Sequence, residues 1–144
     1  VAGFGRLYGY KQMQDFVREL NHLYAKYDAL YINDYDTMGF EWMSCENAQM
    51  STVSFVRRGL NAKDQLLFIC NFTPVEYDAY RTGVPCRGRY ELLLSSDEER
   101  FGGTGVRNKK FVEADKEECE GKTYSLQMKL PPLSVNIYRF DYKK

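Results

Sequence analysis

Carboxylates are the residues of this chain that could most readily do acid–base chemistry. They concentrate in two runs, Asp97, Glu98, Glu99 and then Asp115, Glu117, Glu118, Glu120. Bond hydrolysis by a carboxylate pair needs two acids that face each other across a cleft, roughly 5–10 Å apart. Both runs fall in predicted loops, and like charges that are close in sequence repel one another and prefer water. We therefore predict solvated surface at both runs and no catalytic residue.

Three other patterns are weighed as possible sites. A Cys–His nucleophile would need His22, the single histidine, and an orienting carboxylate. His22 lies beside Leu23 on a predicted helix, which favours an ordinary exposed histidine. The run Gly102-Gly103-Thr104-Gly105 lacks the Lys-Ser/Thr of a phosphate-binding loop, so a tight turn that needs glycine is favoured. With one histidine and no CxxC pair, we expect no metal site and no cofactor.

Aromatic side chains offer the remaining route to a ligand. A pyranose ring has an apolar C–H face that can stack on an aromatic ring. The aromatic residues nearest to predicted loops or strand ends, and hence our candidate carbohydrate contacts, are Trp42, Tyr77, Tyr80 and Phe101. The alternative is that they fill the core or an interface, and the sequence leaves both open.

Composition narrows the class of protein. The 144 residues carry 20 basic and 20 acidic side chains, a balance that argues against a nucleic-acid partner. Aromatic residues make up 15% of the chain, which favours half-buried β structure. No apolar run approaches the about 20 residues of a membrane helix, so no membrane partner is expected. The four cysteines are widely scattered, which is typical of reduced thiols in a cytoplasmic protein.

The first part of the chain has a helical pattern. Apolar side chains recur at three- and four-residue spacing at Met13, Phe16, Val17, Leu20, Leu23, Tyr24 and Tyr27. No Gly or Pro interrupts residues 11–30, so we predict one amphipathic α-helix there. This helix and its connector form the first unit, residues 1–38.

From residue 39 to residue 144 the pattern is that of an all-β domain. Short strand-like runs alternate with turns every eight to twelve residues. Residues 66–71 are apolar on both faces, which predicts a central strand. Residues 77–81 resemble an edge strand that ends before Gly83, and residues 123–130 and 133–140 read as a closing pair. We predict an antiparallel Greek-key β-sandwich of six to eight strands preceded by one amphipathic α-helix.

Several sequence blocks resemble bacterial glycogen branching enzymes. They occur in the order and at the spacing of that family: residues 15–24 (DFVRELNHLY), 39–42 (GFEW), 54–59 (SFVRRG), 70–75 (CNFTPV), 80–85 (YRTGVP), 101–105 (FGGTG) and 130–134 (LPPLS). The first block is similar to the last helix of the catalytic barrel, and the others to the all-β C-terminal domain that follows the barrel in amylase-like enzymes.

The resemblance implies a portion of a glycoside hydrolase family thirteen protein. The whole enzyme cuts an α-1,4 glucan chain and rejoins it through an α-1,6 bond, by a retaining mechanism with an aspartate nucleophile and a glutamate acid/base. Those motifs belong to the (β/α)8 barrel, and no Asp or Glu here matches them. The expected function is therefore non-catalytic support of the barrel. The alternatives are an independent α-glucan-binding module or, least favoured, a stand-alone enzyme.

The same resemblance sets expectations for partners. In a whole enzyme the helix face of Met13, Phe16, Leu20, Leu23 and Tyr27 should pack on the barrel. Leaving that face wet would cost on the order of 10 kcal/mol, so in this chain it should be covered by the sandwich or by a second copy. The partners expected are thus the catalytic barrel, α-glucan and a second copy in a homo-oligomer.

Overall fold

A computed structural model of the chain describes residues 2–30, 40–44, 51–60, 62–105 and 108–142, with side chains from residue 11 onward except those of Phe40, Trp42 and Ser44. It contains helix α1 (Ala2–Lys26) and, among the described residues, eight strands: β1 (Phe40–Ser44), β2 (Thr52–Arg57), β3 (Gln65–Asn71), β4 (Tyr77–Val84), β5 (Arg89–Ser95), β6 (Phe111–Glu113), β7 (Tyr124–Leu130) and β8 (Ser134–Phe140). No helix in these ranges has both the length and the apolar content needed to cross a bilayer.

The strands form two antiparallel sheets, which confirms the predicted fold class. The larger sheet has the order β1-β2-β3-β8-β5-β6, and the smaller one pairs β4 with β7. Strand β8 returns to lie beside β5 after the chain has visited the other sheet, as in a Greek key. The last two strands, β7 and β8, do not pair with each other, because the connection that begins at Pro131 carries the chain from the small sheet to the large one.

The core between the two sheets is apolar and follows the two-residue period of the strands. Strand β7 buries Leu126, Met128 and Leu130 and exposes the residues between them, as its alternation predicts. The same inner cluster includes Val56, Leu67, Ile69, Val84, Tyr90, Tyr138 and Phe140. This cluster fixes which face of each strand points inward.

Strand β3 is covered on both faces, which confirms its prediction as a central strand. Leu67 and Ile69 belong to the inner cluster, whereas Leu66 and Phe68 lie in a second cluster on the outer face of the large sheet. Strand β3 pairs along its whole length with β8, and from Leu66 to Asn71 with β2. The large sheet therefore needs a second apolar layer outside the sandwich.

Three boundaries differ from the prediction. Helix α1 begins at Ala2 rather than at residue 11; the three glycines before Tyr10 each lower helix propensity by about 1 kcal/mol relative to alanine, so the sequence did not indicate a helix there. Strand β4 continues through Gly83 to Val84. A Cβ on Gly83 would lie 2.7 Å from the Cys119 carbonyl oxygen, so the glycine permits a close approach of the two backbones. Strand β6 is only three residues long, and the sequence pattern did not indicate it.

Two buried tyrosines of the inner cluster give a matched test of this core. Tyr90 donates its hydroxyl to the Cys86 carbonyl oxygen at 2.9 Å, whereas the Tyr138 hydroxyl has no hydrogen-bond partner among the described residues. Tyr90→Phe should therefore lower the free energy of unfolding by about 1 kcal/mol, and Tyr138→Phe should leave it unchanged or raise it. Urea denaturation measures both; an equal loss in the two variants would contradict this assignment of the two hydroxyls.

Candidate functional site at the helix–sheet interface

Helix α1 supplies the second apolar layer over the large sheet. The outer-face cluster buries Tyr27, Ala29, Leu66, Leu94 and Ile137, and Phe16, Leu20 and Leu23 of the helix pack against it. Four of the five residues predicted to need a cover thus pack on the sandwich of the same chain. Met13 does not, because its side chain is 64% exposed.

The turn after the helix is tied to the β2–β3 hairpin. Arg57 donates from Nε to the Ala29 carbonyl oxygen at 3.2 Å and from Nη2 to the Leu30 carbonyl oxygen at 3.4 Å. The Leu60 amide donates to Asp28 Oδ2 at 3.3 Å. These bonds hold the turn that follows α1, and with it the end of the helix, against the sheet.

The middle of the helix is held by the loop between β5 and β6. We call residues 97–105 the clamp loop. The Phe101 ring meets the Phe16 ring edge-on, with centroids 5.1 Å apart and planes at 74°. Arg100 reaches Glu19 (Nη1 to Oε1, 3.6 Å) and lies over the Phe101 ring at 4.5 Å. The clamp loop therefore contacts the helix through one aromatic pair and one ion pair.

Asp97 organises the clamp loop from inside. Its carboxylate accepts the Thr104 amide at 3.0 Å and the Thr104 hydroxyl at 2.7 Å, and its backbone oxygen accepts the Gly105 amide at 2.9 Å. A Cβ on Gly103 would lie 2.1 Å from that backbone oxygen, which confirms a tight turn that needs glycine. The prediction that the first acidic run is solvated is wrong at Asp97, which is 5% exposed, because these bonds replace water around its carboxylate.

A chain of buried hydrogen bonds connects the clamp loop to the ends of three strands. Ser95 at the end of β5 donates to Asn136 Oδ1 at 2.7 Å, and Asn136 Nδ2 donates to Ser134 Oγ at 3.0 Å. Ser134 Oγ and Asn71 Nδ2 both donate to the Pro131 carbonyl oxygen, at 2.7 and 2.9 Å. The only sequence signal of these buried hydrogen bonds was the presence of small polar residues at strand ends. Such residues are equally typical of ordinary turns.

The structure separates the four aromatic candidates. Tyr80 is 4% exposed and its hydroxyl lies 3.0 Å from Thr52 Oγ1, so its ring belongs to the core rather than to a sugar-stacking surface. Tyr77 is half-buried against the inner cluster, with its ring centroid 6.0 Å from that of Tyr80. Phe101 lies in the clamp loop against the helix. Trp42 pairs in register with Phe55 on β2, and its side chain lies outside the described residues.

The other features weighed as possible sites are the second acidic run, the histidine, the cysteines and a metal centre. Arg81 holds the second acidic run through Asp115 (3.2 Å) and Glu117 (3.4 Å), both of which are exposed as predicted. His22 is exposed, also as predicted. Burial raises the pKa of the Cys70 thiol, which lies on β3 as a small, buried apolar group. Among the side chains that the structure describes, no three His, Cys, Asp or Glu residues converge as metal ligands.

A double-mutant cycle on Phe16 and Phe101 tests the aromatic contact between the clamp loop and the helix. Phe16→Ala and Phe101→Ala should each destabilise the chain, and the pair should show a coupling energy of about 0.5–1.5 kcal/mol, the range of edge-to-face aromatic pairs. The control is Met13→Ala with Phe101→Ala, which should add without coupling because Met13 is exposed. Additive effects of the two phenylalanine substitutions would contradict the contact.

Comparisons with known proteins agree with this architecture. The family model of the alpha amylase C-terminal all-beta domain matches residues 42–141. The 1,4-alpha-glucan branching enzyme GlgB of Butyrivibrio fibrisolvens is 41% identical over 132 residues, which cover 92% of this chain and 21% of that protein. The corresponding figures are 41%, 92% and 17% for the enzyme of Synechocystis sp., and 40%, 90% and 20% for that of Geobacillus stearothermophilus.

The chain thus spans about one fifth of the length of these curated relatives. The family match covers both sheets of the sandwich, from β1 to the residue after β8. The eight strands, the two antiparallel sheets and the matched residues together show that this chain belongs to the alpha amylase C-terminal all-beta domain family.

Proposed function

We propose that this chain is the C-terminal portion of a 1,4-α-glucan branching enzyme and that it supports the catalytic barrel without chemistry of its own. The observation that carries the proposal is the seating of helix α1 on the sandwich, because this helix resembles the last helix of the barrel. The proposal divides the chain into the helix with its connector, residues 1–38, and the sandwich domain, residues 39–144. A cytoplasmic location is part of it, and the free thiols of Cys70, Cys86 and Cys119 support that location.

Helix α1 has a second apolar face that suits a shared element. Met13, Val17 and Tyr24 follow helical spacing and are 64%, 44% and 53% exposed. Covering these half-exposed side chains would contribute about 1 kcal/mol or more for each. In the whole enzyme this stripe would pack on the barrel, so the helix would connect the barrel to the sandwich. Where the barrel is absent, the same stripe is our proposed surface for a homo-oligomer.

Catalysis is assigned to the part of the parent protein outside this segment. The carboxylates of the clamp loop have structural partners: Asp97 binds Thr104, and Glu98 pairs with Arg100 Nε at 2.8 Å. Glu98 and Glu99 line a cleft of about 350 Å³, but they are neighbours in the chain, and the other described residues that line the cleft carry no carboxylate to face them. The positions and partners of these carboxylates favour a non-catalytic domain that supports the barrel over a stand-alone enzyme.

The second candidate function is an independent α-glucan-binding module. One observation favours it: Trp42 is the register partner of Phe55, whose ring stacks on Phe68 with centroids 4.9 Å apart and planes at 6°. Aromatic residues therefore sit on neighbouring strands of the large sheet. Tyr77, on the other sheet, keeps part of its side chain exposed.

Exchange of the matched segment in a relative tests the leading function. In the branching enzyme of Geobacillus stearothermophilus, deletion of the segment should lower Tm sharply, and replacement by this chain should restore both Tm and branching activity. The control is a replacement that carries Phe16→Ala and Phe101→Ala, which should restore less. A deletion variant with the Tm and activity of the whole enzyme would overturn the proposal.

Native gels of this chain, with and without embedded glycogen, separate the two functions. A supporting domain should migrate alike in both gels, whereas a glucan-binding module should be retarded by glycogen, and Trp42→Ala or Tyr77→Ala should abolish the retardation without unfolding.

The gel without glycogen also reports the assembly state of the chain. Self-association through the stripe of Met13, Val17 and Tyr24 should disappear in a Met13→Gln, Val17→Gln variant. A single monomer band for the unsubstituted chain would contradict the proposed homo-oligomer.

A further inference from the structure

Asp97 is buried, whereas Glu98, which follows it, is partly exposed and Glu99 is exposed. Burial of a carboxylate costs free energy unless hydrogen bonds satisfy its oxygens. Here Thr104 donates its amide to Oδ1 and its hydroxyl to Oδ2, so each oxygen has its own donor. The six residues between Asp97 and Thr104 are folded around this carboxylate.

We propose that Asp97 is the positioning residue that sets helix α1 on the sandwich, acting through the clamp loop. The proposal deepens the function proposed above, since α1 is the element that would be shared with the barrel, but it concerns this chain alone. Asp97 itself does not reach the helix. It closes the clamp loop, and the closed loop presents Arg100, Phe101 and Gly102 to the helix.

The contacts that the clamp loop makes follow one face of α1. Phe101 meets Phe16, and Arg100 meets Glu19. At Gly102, which has a φ of +85°, a Cβ would lie 2.9 Å from Gln12 Oε1, so the loop backbone also approaches the helix closely. Positions 12, 16 and 19 are spaced by four and three residues and lie along one stripe of the helix. A loop held open at Thr104 would lose the aromatic pair, the ion pair and this close approach together.

A carboxylate is the side chain that this loop requires. Both Thr104 groups donate, and the two oxygens of an ionised carboxylate only accept. Asparagine offers one accepting oxygen and would turn an NH2 group toward a donor. Aspartate also anchors the loop through its backbone, since the Asp97 amide donates to Ser95 Oγ at 3.3 Å and Ser95 is bonded to Asn136. The loop is thus fixed to the buried polar chain at one end and closed by Thr104 at the other.

Amide hydrogen exchange on the whole chain tests the proposal. Asp97→Asn should increase exchange of the α1 amides from residue 16 to residue 26 by about tenfold or more, the effect of losing a hydrogen bond to a charged group, and should leave β3 unchanged. Thr104→Val should act in the same direction. Thr104→Ser keeps the hydroxyl and should retain slow exchange, and Asp115→Asn removes an exposed carboxylate far from the helix and should have no effect there.

The outcomes separate positioning from general stabilisation. Unchanged exchange in α1 for both Asp97→Asn and Thr104→Val would overturn the proposal, and so would an equal increase in α1 and β3, because the role would then be global. If Asp97→Asn does not fold, the comparison of Thr104→Val with Thr104→Ser decides the question. Failure of the segment exchange in the relative would count against the branching-enzyme assignment and leave this result untouched.

Discussion

The structure depends on covering the outer face of the large sheet. Strand β3 carries apolar side chains on both faces, so the core between the sheets buries only half of them, and Leu66 and Phe68 would be wet without a further layer. Helix α1 supplies that layer with Phe16, Leu20 and Leu23. Removal of apolar surface from water is the dominant favourable term in folding, so the helix and the sandwich are stabilised together. The helix and the sandwich, which the sequence pattern separates into two units, therefore pack together around the outer-face cluster.

Apolar burial does not by itself fix where the helix lies, because it has no direction. The position of the helix on the sheet is fixed by polar contacts at two points. Arg57 binds the carbonyls that follow the helix end, and Arg100 of the clamp loop pairs with Glu19 in the helix. The clamp loop in turn rests on bonds that run from Thr104 through Asp97 and Ser95 into the sheet. A buried polar chain whose members are satisfied specifies one arrangement, and a partly satisfied one would be costly.

The sequence predicted the elements whose pattern is local. Residues 66–71 and 124–130 have the composition and period of a central and a half-buried strand, and the face of α1 follows from the spacing of Phe16, Leu20 and Leu23. The clamp loop could not be predicted, because the burial of Asp97 depends on Thr104 seven residues away, and the contacts of Arg100 and Phe101 depend on a helix far back in the chain. The same limit applies to Tyr80 and Phe101: loops and strand ends expose some aromatic side chains and bury others, and only tertiary packing decides which.

Helix α1 packs on the sandwich of its own chain, so a single copy should hold the helix in place. Amide exchange of the Met13→Gln, Val17→Gln variant tests this, once light scattering confirms that the sample is monomeric. We expect protection of the α1 amides from Leu20 to Lys26 that approaches the protection of β3, since both border the same apolar cluster. Fast exchange throughout α1 in a monomer, with β3 protected, would contradict it.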